Sequence, residues 1–206
     1  MRLLLARHAP AEWPQGGEPR YRGWSDAPLG EAGLAAARLL ARRLEGEGIA
    51  AVYSSDLLRA ASTAREVSSR LGVPLRLRRG LRELCFGRWE GLSHREILGR
   101  DPERYRRWLE DPLGAAPPEG ESAALCLGRA WEVLREIRER HPPGSAALVV
   151  SHGGTLRLLV CRLLGMPPAN HFRLRLDPCG LTTVDWEAER PVLSGLNDLS
   201  HLEGAR

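Results

Sequence analysis

The chain has 206 residues, of which 43% are hydrophobic and 27% charged, a composition typical of a soluble globular protein long enough to bury a full core. All 30 of its basic residues are arginine, which excludes a catalytic lysine and the lysine of a Walker A phosphate loop. The net charge of +4 is spread among interleaved acids without a dense basic run, so we expect no nucleic-acid partner.

No apolar run approaches the length of a membrane span, and the apolar stretch near the N-terminus is too short for a secretory signal. We therefore expect a cytoplasmic protein without a membrane partner. No metal and no cofactor are predicted, because the cysteines have neither metal-binding nor redox spacing. These cysteines are Cys85, Cys126, Cys161 and Cys179.

The first predicted element is a buried parallel strand over residues 3–6, where the sequence is a continuous apolar run. Arg7 and His8 follow at its carboxyl end, and Pro10 and Pro14 then stop regular structure. Ligands of open α/β sheets bind just beyond the carboxyl ends of strands. Arg7 and His8 are therefore candidate site residues, although a salt-bridged arginine beside a surface histidine would have the same pattern.

Two further helix–strand units are predicted next, because apolar residues at helical spacing alternate with short β-prone segments. The Ser54-Ser55-Asp56 cluster predicts an N-cap for the second helix. The β-α-β-α-β order is typical of a parallel sheet with right-handed crossovers. The predicted elements are a helix over 30–47, a strand over 49–53, a helix over 57–71 and a strand over 74–77.

The remaining elements complete a single α/β domain over residues 1–206, with a small helical insertion at about 92–120. We predict a three-layer sandwich with a mostly parallel sheet and helices on both faces. The tail strands are expected at the edge of the sheet. Whether they pair with the same strands of a second copy in a homodimer is left open. The predicted elements are helices over 93–99, 102–110, 121–140 and 156–164, and strands over 146–150, 172–176, 181–186 and 192–196.

Polar residues follow three of the predicted parallel strands. Arg7 and His8 follow the first, Arg59 lies in the first turn after the second, and His152 follows the last. Because these strand ends share one rim, two arginines, two histidines and two helix N-termini meet there, with Gly153 allowing close approach of the backbone. Their shared placement favours a phosphate site, while each residue alone would more often be a cap or a core residue.

Six motifs of this chain resemble the histidine phosphatase superfamily, also called the phosphoglycerate mutase-like family. They occur in the family's order, span nearly the whole chain and are specific in combination. The motifs are Leu5-Ala6-Arg7-His8, Gly23-Trp24-Ser25-Asp26-Ala27-Pro28-Leu29, Ser54-Ser55-Asp56-Leu57-Leu58-Arg59-Ala60, Leu81-Arg82-Glu83, Phe86-Gly87-Arg88-Trp89-Glu90-Gly91 and Ser151-His152-Gly153-Gly154.

The resemblance implies that His8 is a nucleophile that carries the phosphoryl group in a covalent intermediate. Arg7, Arg59 and His152 would bind the transferring phosphoryl group, and Glu83 would be the proton donor. Two arginines and a protonated histidine can neutralise the phosphoryl oxygens without a metal ion. His8 must be neutral to attack, so a backbone carbonyl is expected to hold its other ring nitrogen.

Glu83 has a second explanation that does not depend on the resemblance. It lies next to Arg82 and near Arg88 along the chain, so an ion pair with either arginine would account for it. On the residues alone, that ion pair is the better explanation.

The loop after His8 departs from the family pattern and removes two customary polar contacts near the phosphate. The replacing residues are Ala9, Pro10, Ala11 and Pro14. Arg22 stands where a glutamine is common, and it is predicted to bind substrate together with Gly153, the alternative for Arg22 being an exposed side chain without that contact. We also predict that residues 92–120, with Arg22, shape the leaving-group side, the alternative being a packed helical cap.

The stretch from Phe86 to Gly91 is similar to the small phosphatases of the family, including alpha-ribazole phosphatase, whereas Leu84 and Cys85 differ from the mutase pattern. The resemblance therefore implies a metal-independent phosphomonoesterase that acts on a small phosphorylated metabolite, with alpha-ribazole 5'-phosphate among the candidates. The alternatives are a phosphoglycerate mutase-type phosphoryl transfer and a catalytically silent phosphate-binding regulator.

Overall fold

The computed structural model describes residues 1–13, 18–187 and 190–203, and it contains one six-stranded sheet. The strand order is β3-β2-β4-β1-β5-β6, in which β1 to β4 are parallel and β5 and β6 are antiparallel to their neighbours. The mostly parallel α/β sheet predicted from the sequence is therefore confirmed. The strands are β1 (Arg2–Arg7), β2 (Ile49–Ser54), β3 (Leu75–Leu77), β4 (Ala146–Ser151), β5 (Leu181–Glu187) and β6 (Arg190–Asp198).

Helices cover both faces of this sheet, which confirms the three layers. Leu4 and Ala6 of β1 pack toward α1 and α2, while Leu3 and Leu5 of the same strand pack toward α5 and α6. This alternation follows from the twofold side-chain period of a strand. The helices are α1 (Glu31–Arg43), α2 (Leu58–Leu71), α3 (His94–Arg100), α4 (Pro102–Glu110), α5 (Ala123–Arg140) and α6 (Gly153–Leu163).

The predicted helical insertion contains α3 and α4, and its aromatic residues belong to the core. Tyr105 and Trp108 are 1% and 2% exposed, belong to the same hydrophobic core as residues of α5 and pack against Trp89, whereas Arg104 is exposed. This packing favours the helical cap over a specificity role for α4. In the described parts of the chain, every helix is too short or too polar to cross a membrane.

Two predictions for the tail were wrong. Residues 172–176 do not form a strand, because a 3-10 helix, Pro168–Arg173, occupies the start of that segment after Pro167. The tail strand β5 is not an edge strand, since it lies between β1 and β6 and is mostly buried. Among the strands described, β6 and β3 form the edges, and a homodimer through the tail stays a prediction.

Candidate functional site

The parallel register places the ends of β1, β2 and β4 on one rim of the sheet. Arg7 and His8 leave β1 there, Arg59 lies in the first turn of α2 after β2, and His152 follows β4. The ring centroids of His8 and His152 are 5.1 Å apart. The four residues that the sequence assigned to this rim therefore lie around one site.

His8 is held as a neutral imidazole with one nitrogen free. Its Nδ1–H donates to the Ala9 carbonyl at 2.8 Å, as expected from the sequence, so the lone pair is on Nε2. Nε2 has no hydrogen-bond partner among the described residues and stays open to solvent, although His8 is only 8% exposed. Burial, together with the charges of Arg59 and Arg7, lowers the pKa of His8 to about 3. The ring is therefore neutral near pH 7, as a nucleophile requires.

Thr63 fixes the Ala9 peptide that orients His8. Its hydroxyl accepts a hydrogen bond from the Ala9 N–H at 3.0 Å and donates one to the Arg59 carbonyl at 2.7 Å. Thr63 is fully buried, so water does not replace either contact. One hydroxyl thus joins the loop that follows His8 to the helix that carries Arg59. The sequence analysis missed this residue, whose only signal is its position four residues after Arg59 on α2.

Under the phosphatase activity that the sequence resemblance implies, Thr63→Val is expected to lower kcat on p-nitrophenyl phosphate by about tenfold, because the His8 loop loses its anchor. The buried Ala9 N–H is also left unsatisfied, at a cost of about 1–3 kcal/mol in the free energy of unfolding. Both quantities are measured beside Thr63→Ser, which keeps the hydroxyl and should retain kcat. A Thr63→Val protein that is less stable but turns over at the wild-type rate would leave Thr63 with a structural role only.

Arg7 and Arg59 supply positive charge to the His8 site. Arg59 is 2% exposed and donates to the carbonyls of Ser25 at 2.9 Å and Gly23 at 2.7 Å. Arg7 Nη1 donates to the Leu176 carbonyl at 2.8 Å, while its buried Nε has no partner. Burial lowers the pKa of both side chains, yet a guanidinium group stays charged in proteins. Carbonyl oxygens therefore orient both cations without neutralising them.

His152 is completely buried and lies beside the Ser55 hydroxyl. Its Nε2 lies 2.9 Å from the Ser55 hydroxyl, whose oxygen also accepts from the Leu57 N–H at 3.3 Å. The other ring nitrogen of His152, Nδ1, is buried without a partner. Burial holds the pKa of His152 well below its ordinary value, and the neighbouring His8 and arginines add to this effect.

The Glu83 carboxylate lies at the N-terminus of α6, next to this site. Its oxygens accept from the backbone N–H groups of Gly154 and Thr155, both at 3.0 Å, and from that of Leu84 at 2.9 Å. A helix N-terminus stabilises a carboxylate through its free N–H groups and its dipole. These bonds explain why α6 begins at Gly153 rather than at the predicted residue 156.

The ion pair that offered another explanation for Glu83 does not form. Arg82 makes two hydrogen bonds of 2.7 Å with Asp56, and Arg88 pairs with Glu119. Each arginine thus has its own acidic partner, and the Glu83 carboxylate binds the N-terminus of α6 instead.

The predicted N-cap of α2 was also wrong in its detail. The N-cap residue is Leu57, and the carboxylate of Asp26 accepts from the Leu58 N–H at 2.8 Å. Asp56 is engaged by Arg82 instead. A side chain distant in sequence therefore caps this helix, which local pattern does not reveal.

Arg22 approaches the site through an aromatic ring. Its guanidinium carbon lies 4.1 Å from the ring centroid of Trp13, and the same centroid is 5.7 Å from the guanidinium carbon of Arg59. Burial lowers the pKa of Arg22, and the charge of Arg20 adds to this effect. Substrate binding by Arg22 stays a prediction.

Gly154 excludes a side chain more strictly than the predicted Gly153 does. A Cβ atom added at Gly153 would lie 3.4 Å from Arg7 Nε, an ordinary contact distance. At Gly154 it would lie 2.6 Å from a carboxylate oxygen of Glu83 and would displace that group.

Over residues 9–11, the divergent loop after His8 keeps a defined path despite its lost polar side chains. Ala9 is bonded to Thr63, and Ala11 forms an antiparallel bridge with Leu29. Pro14 lies outside the described residues. The loop is therefore anchored on both sides of Pro10.

The described residues contain no group of three or more histidine, cysteine, aspartate or glutamate side chains placed to hold a metal ion. A cavity of about 660 Å³ opens at the other end of the sheet, near Arg2, His141 and Trp186. Its charged lining mixes acids and bases, and it lies at the amino ends of β1 and β4. Ligands of such sheets bind at the carboxyl ends, so we assign the candidate site to the rim around His8.

Comparison with known proteins gives consistent likenesses over nearly the whole chain. A family model described as the histidine phosphatase superfamily (branch 1) matches residues 3–199. Phosphoserine phosphatase 1 of Hydrogenobacter thermophilus is 34% identical over 202 residues, which cover 98% of this chain and 94% of that protein. Probable phosphoglycerate mutase GpmB of Yersinia pestis is 34% identical over 208 residues, with coverage of 98% and 95%.

The fold is also similar to solved structures. The alpha-ribazole phosphatase from Shigella flexneri has a TM-score of 0.85 and 32% identity, with 96% of each chain covered. The likeness therefore extends over nearly the whole chain.

Proposed function

The chain belongs to the histidine phosphatase superfamily (branch 1), and from this premise we propose that it hydrolyses phosphate monoesters of small metabolites through a phosphohistidine on His8. The observation that carries the proposal is the neutral His8 ring, whose free Nε2 faces solvent in the field of Arg59 and Arg7. Members of the superfamily are phosphatases or mutases. The proposal includes a cytoplasmic location.

In the proposed first step, the Nε2 lone pair of His8 attacks phosphorus while the bond from phosphorus to the leaving oxygen breaks. Arg7 and Arg59 stabilise the negative charge on the phosphoryl oxygens, and His152 donates its Nδ1–H to one of them. Protonated Glu83 gives its proton to the leaving oxygen, so the alcohol departs neutral.

In the second step, the Glu83 carboxylate takes a proton from water, and the resulting hydroxide attacks phosphorus. The phosphorus–nitrogen bond breaks, its electron pair returns to Nε2 of His8, and inorganic phosphate leaves. The backbone N–H groups of Gly154 and Thr155 support the proposal, because they hold the Glu83 carboxylate in place while it is charged.

Activity is expected to persist in excess chelator, because guanidinium groups perform the charge neutralisation that magnesium performs in other phosphoryl-transfer enzymes. The measurement is the kcat on p-nitrophenyl phosphate before and after treatment with EDTA, with a magnesium-dependent phosphatase as the control. Loss of activity that added metal restores would contradict the metal-independent mechanism.

A phosphoglycerate mutase is the second candidate, favoured by the 34% identity to the Yersinia protein of that name. A mutase protects its phosphohistidine from water and passes the group to a second hydroxyl, whereas a phosphatase releases it. The lifetime of labelled phosphoenzyme in buffer therefore separates the two functions. Survival for minutes would favour the mutase, and loss within one turnover would favour the phosphatase.

A panel of phosphate esters tests the proposed function itself. It includes phosphoserine, 3-phosphoglycerate, glycerol 3-phosphate, alpha-ribazole 5'-phosphate and p-nitrophenyl phosphate, with release of inorganic phosphate as the measurement. We expect release from several esters and a preference for one. A chain that binds phosphate but releases none from any ester would be the catalytically silent regulator.

A further inference from the structure

Glu90 lies in the Phe86–Gly91 motif, which the proposed mechanism does not use. Trp89, the residue before it, is 2% exposed and belongs to the hydrophobic core. The backbone N–H of Gly91, the residue after it, donates to the Tyr21 carbonyl at 2.8 Å. The chain is therefore fixed on both sides of Glu90, and its side chain extends from a rigid segment.

The Glu90 carboxylate binds the backbone of the loop over residues 23–25. Its Oε1 accepts from the Trp24 N–H at 2.8 Å, and its Oε2 accepts from the Ser25 N–H and the Ser25 hydroxyl, both at 2.7 Å. Gly23 has a φ of +47°, and a Cβ atom added there would overlap the carboxylate. Glycine at this position therefore lets the loop approach Glu90 closely.

The same loop binds Arg59 through its carbonyl oxygens. Arg59 Nη2 donates to the Gly23 carbonyl at 2.7 Å, and Nη1 donates to the Ser25 carbonyl at 2.9 Å. The peptide unit between Gly23 and Trp24 thus has its oxygen on a guanidinium group and its N–H on a carboxylate. Hydrogen bonds in such a chain polarise one another, so Glu90 strengthens the bond that orients Arg59.

Arg59 depends on these carbonyls because it is only 2% exposed, and water cannot take their place. Burial lowers the pKa of Arg59, and nearby carboxylates, including that of Glu90, oppose this lowering. Glu90 therefore supports Arg59 in two ways: it fixes the loop that directs the guanidinium group, and its charge favours a cation at a buried position.

We propose that Glu90 is a positioning residue for phosphate binding, which acts on Arg59 through the peptide unit between Gly23 and Trp24. This inference rests on the proposed function for the role of Arg59 in binding the phosphoryl group. A positioning residue differs from a structural one in its effect on the folded protein, because its loss weakens phosphate binding and does more than lower stability.

The test is a double-mutant cycle in the affinity for inorganic phosphate, measured by NMR titration, which also determines weak dissociation constants. Glutamine has one acceptor oxygen where the carboxylate has two, so in Glu90→Gln either Trp24 or Ser25 loses its acceptor. We expect Glu90→Gln to raise the dissociation constant about tenfold when Arg59 is present. In Arg59→Met the same change should alter it by less than about twofold, because the group on which Glu90 acts is absent.

Glu90→Asp keeps the charge and both acceptor oxygens on a shorter side chain, and it should restore part of the affinity that Glu90→Gln loses. Glu96→Gln is the matched control, because the Glu96 carboxylate also accepts from a backbone N–H, that of Ser93 at 2.7 Å, but at the N-terminus of α3. It should leave the phosphate dissociation constant unchanged.

Two results would overturn the positioning role of Glu90. One is a Glu90→Gln protein that unfolds at a lower temperature but binds phosphate as tightly as the wild type. The other is an equal loss of affinity with and without Arg59. The proposed hydrolysis fails separately, if the wild-type chain binds phosphate and releases none from any ester, and the cycle in phosphate affinity still decides the role of Glu90.

Discussion

His8→Ala is expected to abolish phosphate release from every ester, whatever its leaving group, because the covalent step needs the imidazole nitrogen. In enzymes that use a covalent nucleophile, its removal costs about ten-thousandfold or more in kcat. The measurement is phosphate release from p-nitrophenyl phosphate and glycerol 3-phosphate, together with incorporation of labelled phosphate. Wild-type protein should hold an acid-labile label, as expected of a phosphorus–nitrogen bond, and His8→Ala should hold none.

His141→Ala is the matched control for this experiment. His141 is hydrogen-bonded to Tyr53 at 3.0 Å and lines the cavity at the opposite end of the sheet. Its removal should change neither labelling nor turnover. Labelling of His8→Ala at the wild-type level would assign the nucleophile to another residue and remove the basis of the proposed mechanism.

The sequence predicted the rim of the sheet well because parallel strands fix where side chains at their ends must lie. Arg7 ends a strand that is buried on both faces, and His8 and His152 each follow such a strand. The apolar runs of these strands therefore identify both the strands and the positions at their ends. The position of Arg59 could be predicted with one further step, because it lies in the first turn of the helix that follows β2. The predicted sheet class and the convergence of these residues follow from this single geometric rule.

Contacts between residues distant in sequence could not be predicted in the same way. Thr63 joins Ala9 to α2, and Asp26 caps that helix across a separation of 32 residues. The complete burial of His152, which lowers its pKa, and its contact with the Ser55 hydroxyl are features of the same kind. Such features arise only when several elements pack together, and no local pattern records them.

Glu83→Gln is expected to affect two kinds of ester very differently. An alkoxide needs a proton to leave, so turnover of glycerol 3-phosphate should fall by about a thousandfold, within the usual contribution of a general acid. A nitrophenolate leaves without that proton, so His8 should still be phosphorylated by p-nitrophenyl phosphate. Water attack then lacks its base, and rapid-quench measurement should show a burst of one nitrophenol per site, slow turnover and label retained on His8.

The experiment must separate proton transfer by Glu83 from its structural role, because Glu83 also binds the N-terminus of α6. The glutamine of Glu83→Gln keeps an acceptor oxygen for the Gly154 N–H, so that structural contact is retained in part. A residue that only holds the helix would slow both esters equally, lower thermal stability and produce no burst. Glu121→Gln is the matched control, since Glu121 accepts from the Cys85 N–H and pairs with Arg129. Only a group that transfers protons makes the effect depend on the leaving group, so equal slowing of both esters by Glu83→Gln would reduce Glu83 to a helix cap.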